Sequence, residues 1–142
     1  MTLFCSHMRI FTTIFVWADE MVVDQSIKRA STIIYCDHWQ ETVSFYRDRI
    51  GLTIVFRCEW LVEFRLTPTA FLSIADQSRA TIASAGGKGI TLSFQIDDIQ
   101  AAHRLFVIDG LAPTDIRSQV MGADVFYLFD PEGTRVEFWC PA

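Results

Sequence analysis

Two stretches of the chain repeat one pattern, STIIYCDHWQETVSFY at residues 31–46 and TLSFQIDDIQAAHRLF at residues 91–106. They align without a gap, so that Asp37, for example, matches Asp97. Self-similarity at a spacing of sixty residues is typical of a structural unit that occurs twice in one chain. The sequence therefore predicts a duplicated fold.

Each copy opens as a strand that leads into a helix. The strand sequences are rich in β-branched and aromatic residues, and they lie at residues 31–36 and 91–96. An Asp-x-x-Gln pattern follows, and we expect Asp37 and Asp97 to cap the helices by accepting a hydrogen bond from a free helix N–H. The helices should end at Gly51 and Gly110, because glycine adopts the left-handed conformation of a C-cap without strain.

Three further strands are predicted after each helix, separated by turn-forming residues such as the Asp-Pro-Glu-Gly sequence at 130–133. The predicted strands are 52–57, 60–66 and 70–75 in the first copy, and 114–120, 124–129 and 134–140 in the second. The fold class is therefore α+β, with two βαβββ modules at about residues 29–76 and 89–140. The modules make a single domain at residues 29–142, preceded by a strand-like N-terminal arm at residues 1–28.

Composition narrows the classes of partner. The 142 residues are 51% apolar and 20% charged, which is typical of a folded globular domain. A net charge of −5 argues against nucleic acid, whose phosphates need a basic surface, and suits a cationic small ligand. No apolar run approaches the roughly 20 residues of a membrane-spanning helix, so no membrane partner is expected.

The cysteines and the N-terminal arm bear on location. The four cysteines are scattered without a Cys-x-x-Cys pair, which indicates reduced thiols, a cytoplasmic protein and no zinc site. The apolar run at residues 10–17 is interpreted as part of an ordered arm. A secretion signal is disfavoured because a single Arg precedes this run and two Thr interrupt it.

Two further phrases carry a family resemblance, FYRDRIGL at residues 45–52 and FYLFDPEGTRVEFW at residues 126–139. Together with the repeat, they resemble the glyoxalase/bleomycin-resistance/extradiol-dioxygenase superfamily, also called vicinal oxygen chelate proteins, from about Arg29 to Trp139. The resemblance implies an eight-stranded, cleft-forming mixed sheet with the two helices outside. It also implies four possible metal-ligand positions, which in this chain are Ser31, Ser73, Thr91 and Glu137.

These four positions predict that the chain holds no metal and needs no cofactor. Only Glu137 is a good ligand, and one carboxylate with three hydroxyl groups does not make a transition-metal site. The three histidines do not complete one, since they fall in the arm and on the predicted helices.

Strand alternation, combined with the family's cleft-facing positions, predicts which side chains line the cleft. The predicted ligand-binding residues are Ser31, Ile33, Tyr35, Phe71, Ser73, Thr91, Ser93, Gln95, Arg135, Glu137 and Trp139. Two alternatives stay open at this point: Arg135 and Glu137 could pair with each other, and Trp139 could belong to the core or to a dimer contact.

The sequence favours a metal-independent small-molecule-binding protein of the bleomycin-resistance type, which sequesters an aromatic or cationic ligand and so confers antibiotic resistance. No catalytic residue is assigned in this interpretation. The alternatives are a lyase- or isomerase-like enzyme with Glu137 as acid or base, and a protein-interaction scaffold. A homodimer is expected in each case, with the apolar arm contributing to it.

Overall fold

The structure is a computed structural model, and it describes residues 26–142. The predicted arm lies almost wholly outside the described residues. The strands are β1 (Ala30–Cys36), β2 (Thr53–Arg57), β3 (Leu61–Arg65), β4 (Ala70–Asp76), β5 (Thr91–Gln95), β6 (Arg117–Val120), β7 (Ala123–Phe129) and β8 (Arg135–Pro141). The helices are α1 (Trp39–Ser44), which continues into a π-helical turn (Phe45–Arg49), a 3₁₀ turn (Gln77–Arg79) and α2 (Ile99–Ile108).

The two modules have the same topology. Module 1 forms a four-stranded sheet in the order β1-β4-β3-β2, and module 2 repeats it as β5-β8-β7-β6. In each sheet the first two strands are parallel and the other neighbours are antiparallel. The α+β class, the duplication and the eight strands are thus confirmed. The strands form two ladders of four, one for each module.

One face of each sheet packs against a helix and forms the core. Ile34 and Cys36 of β1 are buried, whereas Ile33, the residue before them, is 46% exposed. In module 2, Leu92 and Val136 are buried, while Ser93 and Arg135 are exposed. This alternation follows the period of two predicted from the sequence. It gives each module one apolar face and one open face.

The helix starts differ from the predicted capping boxes. Asp37 does not cap α1; instead, the backbone amides of Asp37 and His38 donate to the carboxylate of Glu132, at 3.0 and 2.9 Å. Helix α2 is capped one residue later than predicted, by Asp98, whose carboxylate accepts from the Ala101 amide at 2.8 Å. The local sequence pattern predicts the start of α1 wrongly, because the carboxylate that caps this helix comes from a turn about 95 residues away.

The helix ends agree with the prediction. Gly51 and Gly110 follow the two helices with φ of 81° and 76°, the left-handed conformation of a glycine C-cap. Strand β6 is shorter than predicted, because it begins at Arg117 and its pairing with β7 is irregular. Within residues 26–142, no helix has the length and apolar character to cross a membrane.

Buried polar contacts join the modules at the turn after β7. The Tyr46 hydroxyl donates to the Asp130 carboxylate at 2.8 Å, and the Thr134 amide donates to the same carboxylate at 2.7 Å. Burial raises the pKa of Asp130, although its hydrogen bonds act in the other direction. Burial and the neighbouring Asp130 also raise the pKa of Tyr46, which therefore remains a hydroxyl donor. We call residues 130–134 the inter-module turn.

Candidate functional site

The open face of module 2 brings together most of the residues predicted there. Register pairs Thr91 with Arg135, Ser93 with Glu137, and Gln95 with Trp139, so the six side chains share one face in three rows. The Ser93 hydroxyl donates to Glu137 Oε1 at 2.9 Å. The Glu137 carboxylate, in the middle row, is therefore held in place by a hydrogen bond from Ser93 on β5.

Arg135 does not pair with Glu137, so the first open alternative is wrong. Its Nε donates to the Thr91 hydroxyl at 3.1 Å, and its guanidinium lies 5.3 Å from the centre of the Tyr127 ring. Within residues 26–142, Glu137 forms no salt bridge. Its charge is consequently available to a cation that approaches the face.

A cavity of about 370 Å³ lies over this carboxylate. Its lining residues are Ser93, Met121, Ala123, Val125, Glu137 and Trp139. Met121 was not among the predicted residues. It lies at the tip of the β6–β7 hairpin, and its side chain is fully exposed. Alternation along β7 would have identified Val125, since it is the register partner of Trp139.

The open face of module 1 contains a carboxylate that the sequence analysis missed, Glu63 on β3. Register places it beside Ser73, in the same row as Ile33. The Ser73 hydroxyl donates to Glu63 Oε1 at 3.3 Å, and the hydroxyls of Ser73 and Ser31 are 3.1 Å apart. Alternation along β3, where Val62 and Phe64 are fully buried, was the signal that could have found it.

Glu63 is paired with Arg29, the residue immediately before β1. Arg29 Nη2 lies 2.6 Å from Glu63 Oε2, and its guanidinium carbon lies 3.8 Å from the centre of the Phe71 ring. We call Arg29, Ser31, Glu63, Phe71 and Ser73 the Glu63 cluster. Three of these five residues, Ser31, Phe71 and Ser73, were predicted from the sequence.

The remaining predicted residues of module 1 lie elsewhere. Ile33 and Tyr35 line a smaller cavity of about 160 Å³ between β1 and residues 77–90, the linker that joins β4 to β5. Among the described residues, eight of the eleven predicted side chains therefore fall into three groups: the module 2 cavity, the Glu63 cluster and the linker cavity. Thr91, Gln95 and Arg135 share the open face of module 2 but do not line its cavity. The structure does not bring all eleven into one cavity of the described chain.

The residues at the implied metal positions do not fit a transition-metal site. In the part of the chain that the structure describes, no group of three or more His, Cys, Asp or Glu side chains is placed to hold a metal ion. Ser31 and Ser73 bond to each other and to Glu63, and that carboxylate already pairs with a guanidinium. Hydroxyl groups of this kind are poor ligands for transition metals.

Comparison with known proteins agrees with the fold. Residues 28–138 match the model of the Glyoxalase/Bleomycin resistance protein/Dioxygenase superfamily. Comparison with the curated proteins finds no match.

Solved structures with the same fold include enzymes and binding proteins. Lactoylglutathione lyase from Agrobacterium tumefaciens is 26% identical, with a TM-score of 0.65 over 78% of this chain and 90% of that chain. An antibiotic binding protein from Streptomyces is 14% identical, with a TM-score of 0.67 over 80% of this chain and 95% of that chain. At that identity the second likeness concerns the fold alone. The family match, which covers residues 28–138, shows that this chain belongs to the glyoxalase/bleomycin resistance protein/dioxygenase superfamily.

Proposed function

We propose that this protein binds a small aromatic or cationic molecule without a metal and without catalysis, in the manner of the bleomycin-resistance branch of the superfamily. The observation that carries the proposal is the module 2 cavity. There, Glu137 has a hydroxyl partner and no cationic one within the described chain, and it lies beside the ring of Trp139.

This arrangement suits an aromatic cation on physical grounds. A ring or cation over an indole face contributes about 0.5–2 kcal/mol, and more when water is excluded. A hydrogen-bonded partner of opposite charge contributes about 1.5–3 kcal/mol. The exposed Met121 adds an adaptable apolar wall, which is typical of sites that accept irregular ligands.

The protein acts as a homodimer in this proposal, and each cleft combines the open faces of two copies. Large apolar side chains on these faces support it: Ile33 and Phe56 on module 1 are 46% and 54% exposed, and Phe129 on module 2 is 58% exposed. Large exposed apolar groups on one face of a sheet are typical of a surface that a partner covers. The proposed location is the cytoplasm, and sequestration of a toxic antibiotic there would give resistance.

The contributions of Glu137 and Trp139 to ligand affinity can be measured separately with two probes. These are N-methylquinolinium, a planar aromatic cation, and quinoline, which is neutral. We expect Glu137→Gln to weaken binding of the cation about ten-fold and to leave quinoline unchanged, because only the cation uses the carboxylate. Trp139→Ala should weaken both several-fold, because both use the ring. Isothermal titration calorimetry measures each affinity.

Glu59→Gln is the matched control, since it removes the same charge from a side chain that is 83% exposed in module 1. Each variant must keep the wild-type melting temperature within a few degrees. Equal binding of the cation by wild type, Glu137→Gln and Glu59→Gln would contradict the proposal. One equivalent of tightly held metal per chain after dialysis would instead favour an enzyme.

A further inference from the structure

We propose that Arg29 is an internal ligand: its guanidinium occupies a subsite of module 1 that takes a planar amidinium or guanidinium group from an external molecule. The subsite consists of the carboxylate of Glu63, the ring of Phe71 and the hydroxyl of Ser73. The proposal rests on the proposed function, and it specifies the class of ligand that the cleft accepts.

The contacts of Arg29 define the chemistry of the subsite. Its guanidinium lies over the Phe71 ring, with 3.8 Å from the guanidinium carbon to the ring centre, and reaches Glu63 Oε2 at 2.6 Å. A planar cation satisfies both partners together, because its flat face stacks while its N–H groups point at the carboxylate. An alkylammonium has no flat face, so it would gain less from the ring.

The carboxylate keeps its position when Arg29 leaves. The Ser73 hydroxyl holds Glu63 Oε1, the oxygen that Arg29 does not contact, and the Glu63 side chain is only 15% exposed. Arg29, in contrast, precedes β1, and its side chain is 51% exposed. An ion pair and a cation–π contact made by a half-exposed side chain are weakened by solvent, so an external cation can compete with this one.

Module 2 also has a hydroxyl-bonded carboxylate on its open face, but it comes from β8 rather than from the strand that corresponds to β3, and no guanidinium of the described chain pairs with it. Glu137 occupies the position that corresponds to Ser73 and has the Ser93 hydroxyl as its partner, while Arg135 is directed to Thr91. The two open faces thus each present a hydroxyl-bonded carboxylate near an aromatic ring, and the chain's own guanidinium covers the one in module 1.

Benzamidine, a planar amidinium, is the probe for this subsite. All proteins in the test carry Glu137→Gln, so that the module 2 carboxylate cannot hold the probe. In that background, we expect Arg29→Ala to bind benzamidine about ten-fold more tightly than the parent, because the internal competitor is gone. Arg29→Lys, which keeps the charge but not the flat group, should give a smaller gain.

The matched control is Arg65→Ala, which removes an exposed arginine from the same face beside Phe71. It makes the chain more negative by the same single charge, so a gain that merely reflects net charge would be equal in both variants. Adding Glu63→Gln to Arg29→Ala should abolish the gain. Near-equal affinities of Arg29→Ala and Arg65→Ala, or a gain that survives Glu63→Gln, would overturn the proposal.

The failure of this proposal is distinguishable from failure of the proposed function. If N-methylquinolinium depends on Glu137 in the wild-type protein but benzamidine shows no gain from Arg29→Ala, the cleft binds cations and Arg29 is not an internal ligand. Should Arg29→Ala unfold at the assay temperature, Arg29→Lys provides the same comparison with Arg65→Lys.

Discussion

Asp130 and Glu132 stand two residues apart in the inter-module turn, and the protein shifts their pKa values in opposite directions. Burial raises the pKa of Asp130 despite its hydrogen bonds to Tyr46 and Thr134. Partial burial would also raise the pKa of Glu132, but it is outweighed by hydrogen bonds from the Asp37 amide, the Ser84 hydroxyl and the His38 amide, and the pKa falls. The pKa falls because the Glu132 side chain reaches the N-terminus of α1, where free backbone N–H groups favour a negative charge.

These shifts predict opposite pH dependences for two variants. A lowered carboxyl pKa stabilises the fold above the unfolded pKa, and this contribution disappears as the pH falls through the folded pKa. The melting temperature lost in Glu132→Gln should therefore be largest near neutral pH and shrink as the pH falls through the range in which carboxyl groups titrate. For Asp130→Asn, whose parent pKa is raised, the loss relative to wild type should grow as the pH falls. Thermal unfolding followed by circular dichroism across this range measures both, and parallel curves for the two variants would contradict the assignment.

Individual residues differ in how far the sequence could predict them. Ser93, Glu137 and Trp139 were predicted on one face because alternation in β5 and β8 is clean, with apolar residues between polar ones. Alternation along β3 places Glu63 on the open face, but its contacts with Arg29 and Ser73 depend on register across β1, β4 and β3, which alternation within one strand does not reveal. Which cavity each side chain enters depends on loop positions that the strand pattern does not encode.

Elements were predicted more reliably than their ends. Hydrophobic periodicity and turn residues identified the strands and both helices, since these are local properties of the sequence. The start of α1 was predicted wrongly because Glu132, from a distant turn, replaces the local cap.

The linker makes a close crossing with the inter-module turn. A Cβ atom on Gly87 would come within 2.1 Å of the Gly133 carbonyl carbon, whereas a Cβ on Gly86 would meet nothing within 4 Å. Both glycines have positive φ, at 73° and 60°. We expect Gly86→Ala to cost about 1–2 kcal/mol from backbone strain alone. Gly87→Ala should cost clearly more, because backbone atoms would also have to separate. Chemical denaturation measures the two free energies, and similar values would show that the crossing is not tight.

Backbone strain and a proposed ligand contact coincide in the β6–β7 hairpin. Met121 has a positive φ of 53° and precedes Gly122, at 80°, which together resemble the two-residue hairpin turn that favours Asn-Gly. We expect Met121→Asn to stabilise the protein by about 1 kcal/mol by relieving strain. It should also weaken N-methylquinolinium binding several-fold, because the cavity loses an apolar wall. Melting temperature and affinity measured on the same sample test this trade-off, and unchanged affinity would remove Met121 from the site.

At the scale of the whole molecule, the proposed dimer is testable through its open faces. Light scattering of the full chain should give twice the 16.2 kDa chain mass at micromolar concentration. Phe56→Glu should shift the protein to monomer, because it places a charge among the apolar groups that the partner covers. Ile108→Glu is the control: Ile108 is 81% exposed, but it lies on α2, on the helix side of the sheet. Loss of the dimer in both variants, or a monomeric wild type, would refute this arrangement.

The Glu132 contact also has a consequence for how the protein is made. A ribosome completes α1 and its π-helical turn, residues 39–49, long before it reaches the codon for Glu132. The emerging first half therefore carries a helix whose leading amides have no carboxylate partner, together with an aromatic-rich sheet surface exposed to the cell. Only when the chain has grown past Thr134 can both Glu132 and Asp130 reach their partners. Synthesis of the inter-module turn is consequently the step that supplies the polar partners of the α1 start and of Tyr46.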